Sequence, residues 1–370
     1  MKITLDTTIL QKKLSFVTHG ISSRTQLPVL LNFLLEASGG QLRISSTDLE
    51  IGIQVSLSAE VEEEGRVTIP ARSFTELVQS LSTKTVSLLT SGASVEVVSS
   101  KTRSLFQTIS ADEFPKLFED KGSKIASIDL ESFQGALSGV IFAVSTETSR
   151  PALSGVLLRP ESDGFLLVAT DGYRLSLRRH ISKEGKLSEG SSSLIIPARV
   201  MREASSIKDE EGKLELYILP ESNQILFQQG GSVLVGRLIE AEFPNFEKII
   251  PTEQSSKISV DREELLKAVK ITSIFARESA NIIKFSLKQG NLVVSSQTPS
   301  LGENTVDVEG KLTGEENEIA FNARYLLEFL SHVGSETITF EMTGPLNPGV
   351  FRIDGDSSYL HLIMPIRIQQ

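Results

Sequence analysis

Thr68-Ile69-Pro70-Ala71-Arg72, Ile195-Ile196-Pro197-Ala198-Arg199 and Ala320-Phe321-Asn322-Ala323-Arg324 carry one pattern three times: a strand end, a break and an Ala-Arg step. An amphipathic helix follows each copy. Phe74, Leu77, Val78 and Leu81 recur at helical spacing after the first, Val200, Ala204 and Ile207 after the second, and Leu326, Leu330 and Val333 after the third. Working outward, an earlier helix precedes each copy, as Ile9, Leu10, Leu14 and Val17, as Phe133, Leu137, Val140 and Val144, and as Leu265, Ala268 and Val269 with Phe275. A Ser/Thr-rich strand follows that helix at residues 42–48, 166–171 and 292–297, and Glu113-Phe114-Pro115 and Glu242-Phe243-Pro244 close the first two copies. Landmarks matched in fixed order define a tandem repeat.

Between the landmarks the pattern is β. Ile51, Ile53, Val55 and Leu57 alternate with Glu50, Gly52, Gln54 and Ser56, the signature of a half-buried strand. Short β runs recur around Val86, Val95, Leu214, Ile225, Val233 and Ile338. The fold class read from this is α+β: three tandem repeats, each with two helices packed on antiparallel sheets of roughly eight short strands, a normal load for one domain. The domains are expected at 1–122, 127–251 and 256–370, with polar, loop-like boundaries at residues 121–127 and 251–257.

Composition sets the outer limits. A chain of 370 residues exceeds what one core usually supports, and 39% hydrophobic with 23% charged residues is ordinary for a globular protein. Cysteine is absent, which removes disulfides, thiolate metal sites and cysteine nucleophiles and suits a reducing compartment. Met1–Asp6 has no apolar signal-peptide core, and residues 27–35 are too short an apolar stretch to span a bilayer. A cytoplasmic protein is expected. The net charge of −10 argues against nucleic acid only as a whole-molecule sum, because a binding face needs just a local excess of Lys and Arg.

No nucleotide-binding glycine loop, serine-hydrolase elbow or zinc-protease helix motif is present, and His19, His180, His332 and His361 lack ligand spacing. No catalytic residue, metal or cofactor is predicted. Asp171-Gly172 and Asp354-Gly355-Asp356 read as turns between strands rather than acidic sites. The recurrent arginines are the candidates for function. Arg72, Arg199 and Arg324 each sit in the first turn of a helix, where a cation opposes the helix dipole at a cost of roughly 0.3–1 kcal/mol that an anionic partner would offset. The competing reading is a solvated arginine paired with a nearby carboxylate. Arg24, Arg150, Arg202 and Arg277 lie near the same helices, with Lys12, Lys13, Lys267 and Lys270.

These residues resemble the bacterial DNA polymerase III beta subunits, the sliding clamps, over essentially the whole chain. The resemblance rests on Met1-Lys2-Ile3, Arg24 with Leu27-Pro28-Val29-Leu30, Thr47-Asp48-Leu49-Glu50, Pro70-Ala71-Arg72, Ala169-Thr170-Asp171-Gly172-Tyr173-Arg174-Leu175, Glu242-Phe243-Pro244 and Met364-Pro365-Ile366-Arg367. It implies a head-to-tail homodimer closing a ring of DNA-clamp domains around double-stranded DNA, without sequence preference and without catalysis. It also implies a clamp loader, the replicative polymerase alpha subunit and other proteins that dock short peptides. The implied DNA contacts are Arg24, Arg72, Arg150, Arg199, Arg202, Arg277 and Arg324, although Pro151-Ala152 departs from the aromatics many family members carry beside Arg150. The implied peptide pocket is Leu153, Thr170, Gly172, Tyr173, Arg174, Leu175, Pro244, Ile249, Leu362, Met364, Pro365, Ile366 and Arg367. The implied subunit contact joins Lys101, Arg103, Leu105 and Phe106 to Ile274, Phe275 and Glu303. The alternative carried forward is an acidic repeat scaffold that binds peptides without DNA.

Overall fold

The computed structural model describes residues 1–22, 25–147, 149–181, 192–208 and 212–367. Among these, the α-helices are α1 (Thr7–Val17), α2 (Ala71–Ser80), α3 (Leu130–Ser138), α4 (Ala198–Ser205), α5 (Arg262–Ala276) and α6 (Ala323–His332), two for each repeat. Local chemistry explains their starts. The side chains of Asp6, Asp261 and Asn322 accept from the amides of Ile9, Glu264 and Arg324, satisfying orphan donors at the first turns of α1, α5 and α6. The fixed φ of Pro70 sets the entry to α2 without a side-chain cap.

The apolar periodicity holds with local exceptions. Phe74 and Val78 on α2 and Leu326 and Leu330 on α6 are buried, but Ile9 on α1 is exposed. Helix α3 stops at Ser138, so Val140 and Val144 lie beyond the helix expected to carry them. A Cβ on Gly139 would lie 3.1 Å from the Tyr359 ring, whose hydroxyl donates to the Gly139 carbonyl at 3.0 Å, so that turn belongs to Tyr359. The expected loop boundaries also need correction. Strands run from Ser123 to Ile128 and from Ser256 to Asp261, because Ile125, Ile128, Ile258 and Val260 are buried and partner strands pair with both segments.

The chain divides into two compact units. The first comprises residues 1–130 and 199–238. It holds a five-stranded sheet ending in Thr102–Gln107, and an eight-stranded sheet in which Ser232–Arg237 lies beside Ile51–Ser58. The second comprises residues 131–198 and 239–370, with one twelve-stranded sheet in which Arg174–Ile181 lies beside Asp356–Ile363. All of these pairings are antiparallel.

One pairing rule runs through both units. The strand after each Thr-Asp turn is covered by the last strand of the next repeat, Ile53 opposite Leu234 in the first unit and Leu175 opposite Leu362 in the second. The third repeat has no successor in the chain. Residues 302–309 of its long strand Gly302–Gly314 pair on one side with Asn291–Thr298, and their other side has no strand partner among the described residues. Thr102–Gln107, the last strand of the first repeat, is likewise an edge, paired only with Ser94–Ser99.

The core of the second unit centres on Phe285, Phe321, Phe340 and Phe351, with ring centroids 4.8–5.9 Å apart. Gly349 lies directly over them. A Cβ there would stand 2.4 Å from Phe321 and 2.7 Å from Phe340, inside van der Waals contact. Gly349→Ala is therefore expected to lower unfolding free energy by about 1–3 kcal/mol through overpacking. The urea midpoint of the second unit checks this, and an unchanged midpoint would contradict the packing described.

Candidate docking turn and helix-borne cations

Thr170-Asp171-Gly172-Tyr173-Arg174 is a tight turn built from its own side chains. Thr170 Oγ1 donates to the Arg174 carbonyl at 2.7 Å and accepts from the Gly172 amide at 3.0 Å. Asp171 Oδ1 accepts from the amides of Tyr173 and Arg174 at 2.9 and 3.0 Å. Gly172 has φ +90°, a left-handed conformation that glycine adopts without penalty. Thr47-Asp48-Leu49-Glu50-Ile51 repeats these bonds in the first unit at 2.7–3.1 Å. The turn reading of Asp171-Gly172 holds, and it occupies the carboxylate.

Asp171 Oδ2 takes Arg174 Nε at 3.1 Å, Glu328 Oε2 takes Arg174 Nη2 at 2.6 Å, and the Phe142 carbonyl accepts from the same nitrogen at 2.8 Å. The guanidinium also packs on the rings of Phe142 and Tyr325, at 5.6 and 4.6 Å. Arg174 is only 5% exposed, so its charge is paid for by this cage. Burial pushes the Glu328 carboxyl up, but the hydrogen bonds from Arg324 and Arg174 outweigh it and hold the group below its ordinary range.

The turn delivers Tyr173 to the end of a strand. Arg174 pairs with Ile363 and Leu175 with Leu362, and the Met364 amide extends the ladder by donating to the Tyr173 carbonyl at 2.8 Å. Leu153, Thr170, Leu175 and Leu362 are buried. Leu175 and Leu362 belong to a cluster with Phe246 and Val350, so they form a floor rather than an open wall. Tyr173 (57% exposed), Ile249 (41%) and Met364 (37%) supply exposed apolar surface above. Gly172, Pro244 and Arg367 are exposed, and Pro365 and Ile366 half-buried. Pro244 lines a cleft with Leu157, Arg159, Ile195, Phe243 and Phe246.

Arg72, Arg199 and Arg324 do occupy the first turns of α2, α4 and α6, and each has a carboxylate partner. Arg72 pairs with Glu76 at 3.1 Å and Arg324 with Glu328 at 2.8 Å, both one turn along the same helix. Arg199 reaches Asp48 at 2.5 Å and Glu50 at 3.6 Å, while Glu203 takes His19 at 2.7 Å. Arg202 and Arg277 are exposed. Arg150 is exposed against the docking turn, its Nη1 3.3 Å from where a Cβ on Gly172 would stand. Arg24 lies outside the described residues.

On Thr102–Gln107, Arg103 pairs with Glu96 across the strands, Leu105 is 61% exposed and Phe106 packs edge-on against Phe74. Lys101 is exposed in the preceding turn. In the other unit, Ile274 on α5 and Glu303 on the open strand edge are exposed, and Phe275 is half-buried. Glu328, Tyr325 and Phe142 were missed from the sequence. The recurrence of Arg with Glu four residues later (Arg72/Glu76, Arg199/Glu203, Arg324/Glu328) was the available signal.

Among the described residues, no group of three His, Cys, Asp or Glu is placed to hold a metal ion, and no helix is long and apolar enough to cross a membrane. A repeated helix-on-sheet architecture with a shared Thr-Asp turn and arginines at corresponding helix starts defines a clamp-type repeat protein. Three family models cover the chain: DNA polymerase III beta subunit N-terminal domain over 1–118, central domain over 127–245 and C-terminal domain over 247–367. The beta sliding clamp of Synechococcus elongatus is 31% identical, with both chains covered in full. The Bacillus subtilis DNA polymerase sliding clamp matches at TM-score 0.93 and 28% identity, and the Pseudomonas aeruginosa sliding clamp bound to griselimycin at 0.94 and 26%, each over the whole of both chains. The chain belongs to the DNA polymerase III beta subunit family, the bacterial sliding clamps.

Asp171→Ala removes the oxygen that accepts from two amides and a partner of a buried guanidinium. It is expected to cost about 3–5 kcal/mol in the second unit and to speed hydrogen exchange at the Met364 amide. Unaltered exchange there would show that the turn does not hold the Tyr173–Met364 ladder.

Proposed function

We propose that the chain is a DNA sliding clamp that encircles double-stranded DNA without reading its sequence and tethers the replicative polymerase alpha subunit and other replication and repair proteins, with no catalysis of its own. The observation that carries this reading is the match of three successive clamp domains along one chain. Domains at 1–122, 127–251 and 256–370, loading by a clamp loader and action in the cytoplasm belong to the same proposal.

The pairing rule supports closure by a homodimer. Every strand after a Thr-Asp turn is covered by the last strand of the next repeat, and among the described residues 302–309 and Thr102–Gln107 are two edges that this rule leaves without a partner. Each is the missing partner of the other in kind. Joining them between two copies is a heterologous, head-to-tail contact that closes after two steps. Leu105, Phe106, Lys101 and Arg103 would meet Ile274, Phe275 and Glu303 there. Arg103 already pairs with Glu96, which also guards the edge of an isolated chain.

Enclosure separates holding from gripping. Arg24, Arg72, Arg150, Arg199, Arg202, Arg277 and Arg324 are the proposed phosphate contacts. At Arg72, Arg199 and Arg324 a phosphate competes with a carboxylate already in place, so each contact is weak and exchangeable, as sliding requires. The pocket over Leu175 and Leu362, bounded by Tyr173, Ile249 and Met364, offers apolar surface with an adaptable Met for short peptides.

Protein loaded on circular duplex is expected to remain bound and to leave when the circle is cut. Equal loss from both forms would rule out encirclement and favour the peptide scaffold. Separately, Leu105→Glu places a charge on the edge strand and is expected to halve the mass measured by sedimentation. A dimer that survives it moves the interface elsewhere.

A further inference from the structure

One carboxylate serves two arginines with different surroundings. Glu328 Oε1 accepts from Arg324 Nε at 2.8 Å, and Oε2 accepts from Arg174 Nη2 at 2.6 Å. Arg324 is 73% exposed on the helix start, whereas Arg174 is caged beneath the docking turn. From Arg174 the connection continues through Asp171 to the amides of Tyr173 and Arg174, and from the Tyr173 carbonyl to the Met364 amide. Each link is a direct hydrogen bond or ion pair within one unit.

The corresponding turn of the first unit makes the comparison informative. Ile51 stands at the place of Arg174 and Glu50 at that of Tyr173, and the amide reaching the Glu50 carbonyl comes from Arg237 rather than a methionine. There, Glu76 pairs with Arg72 and Glu203 with His19, so neither corresponding helix glutamate is seen to bridge two arginines among the described residues of that unit. The bridge therefore accompanies the one turn whose rim is apolar.

We infer that Glu328 is a positioning residue that couples an anion on Arg324 to the docking surface at Tyr173 and Met364. This rests on the clamp reading, in which that anion is a DNA phosphate. A phosphate that takes Arg324 releases Glu328 to Arg174 alone, and the second carboxylate contact then holds the turn more firmly. A peptide meets a lip already ordered and loses less freedom on binding. Linkage makes the effect mutual: the docked peptide raises affinity for DNA by the same factor.

The test titrates griselimycin into the full-length protein with and without a short blunt duplex at low salt. Wild type is expected to bind it about fivefold more tightly with duplex present, the lower end of couplings between sites. Glu328→Gln is expected to show no duplex-dependent gain. Arg324→Gln frees Glu328 permanently and is expected to reach the duplex-bound affinity without DNA. An equal gain in wild type and Glu328→Gln, or none in wild type while duplex binding is measured by anisotropy, overturns the coupling and leaves the clamp reading standing. Griselimycin that binds Met364→Arg as well as wild type sinks the docking surface, and the coupling with it.

Discussion

A strand edge cannot be left bare without consequence, and this chain handles its edges by having a later repeat lend its last strand back to the one before. Each of the first two repeats exposes the strand that follows its Thr-Asp turn, and the last strand of the next repeat covers it, as Ser232–Arg237 covers Ile51–Ser58 and Asp356–Ile363 covers Arg174–Ile181. The turns must hold their strands in register for the ladders to form. Thr and Asp side chains do this with the same four bonds at both places. The apolar lip is a by-product: where the covering strand ends, Met364 and Tyr173 are set side by side by backbone pairing.

Charge is organised as tightly as the sheets. An acidic chain carries arginines at the positive ends of helices, and carboxylates one turn away relieve the cost for Arg72 and Arg324. Arg199 uses the turn residue Asp48 instead. A surface prepared in this way presents cations that are already satisfied by carboxylates. Arg174 is the opposite case. Its guanidinium is enclosed by Asp171, Glu328, Phe142 and Tyr325, and it acts as a structural bolt between the turn and α6.

Much of this was legible without coordinates. The repeat, the α+β class, the two helices per copy and most strands follow from periodicities of 3.6 and 2 that burial imposes on any sheet-packed helix or half-buried strand. The family follows from short motifs in fixed order. Misreadings came where a distant residue decided the outcome. Tyr359 ends α3 at Gly139, and partner strands turn the boundary segments at Ser123 and Ser256 into β structure.

The amino-acid order alone determined the threefold plan, the turn at Asp171-Gly172 and the arginines at three helix starts, because these depend on residues within a few positions of one another. Only tertiary structure decided which carboxylate each arginine meets, which apolar side chains stay exposed and which strand edges remain open. Those outcomes depend on contacts such as Arg174 with Glu328, between residues more than a hundred positions apart, and spacing along a chain carries no record of such a meeting.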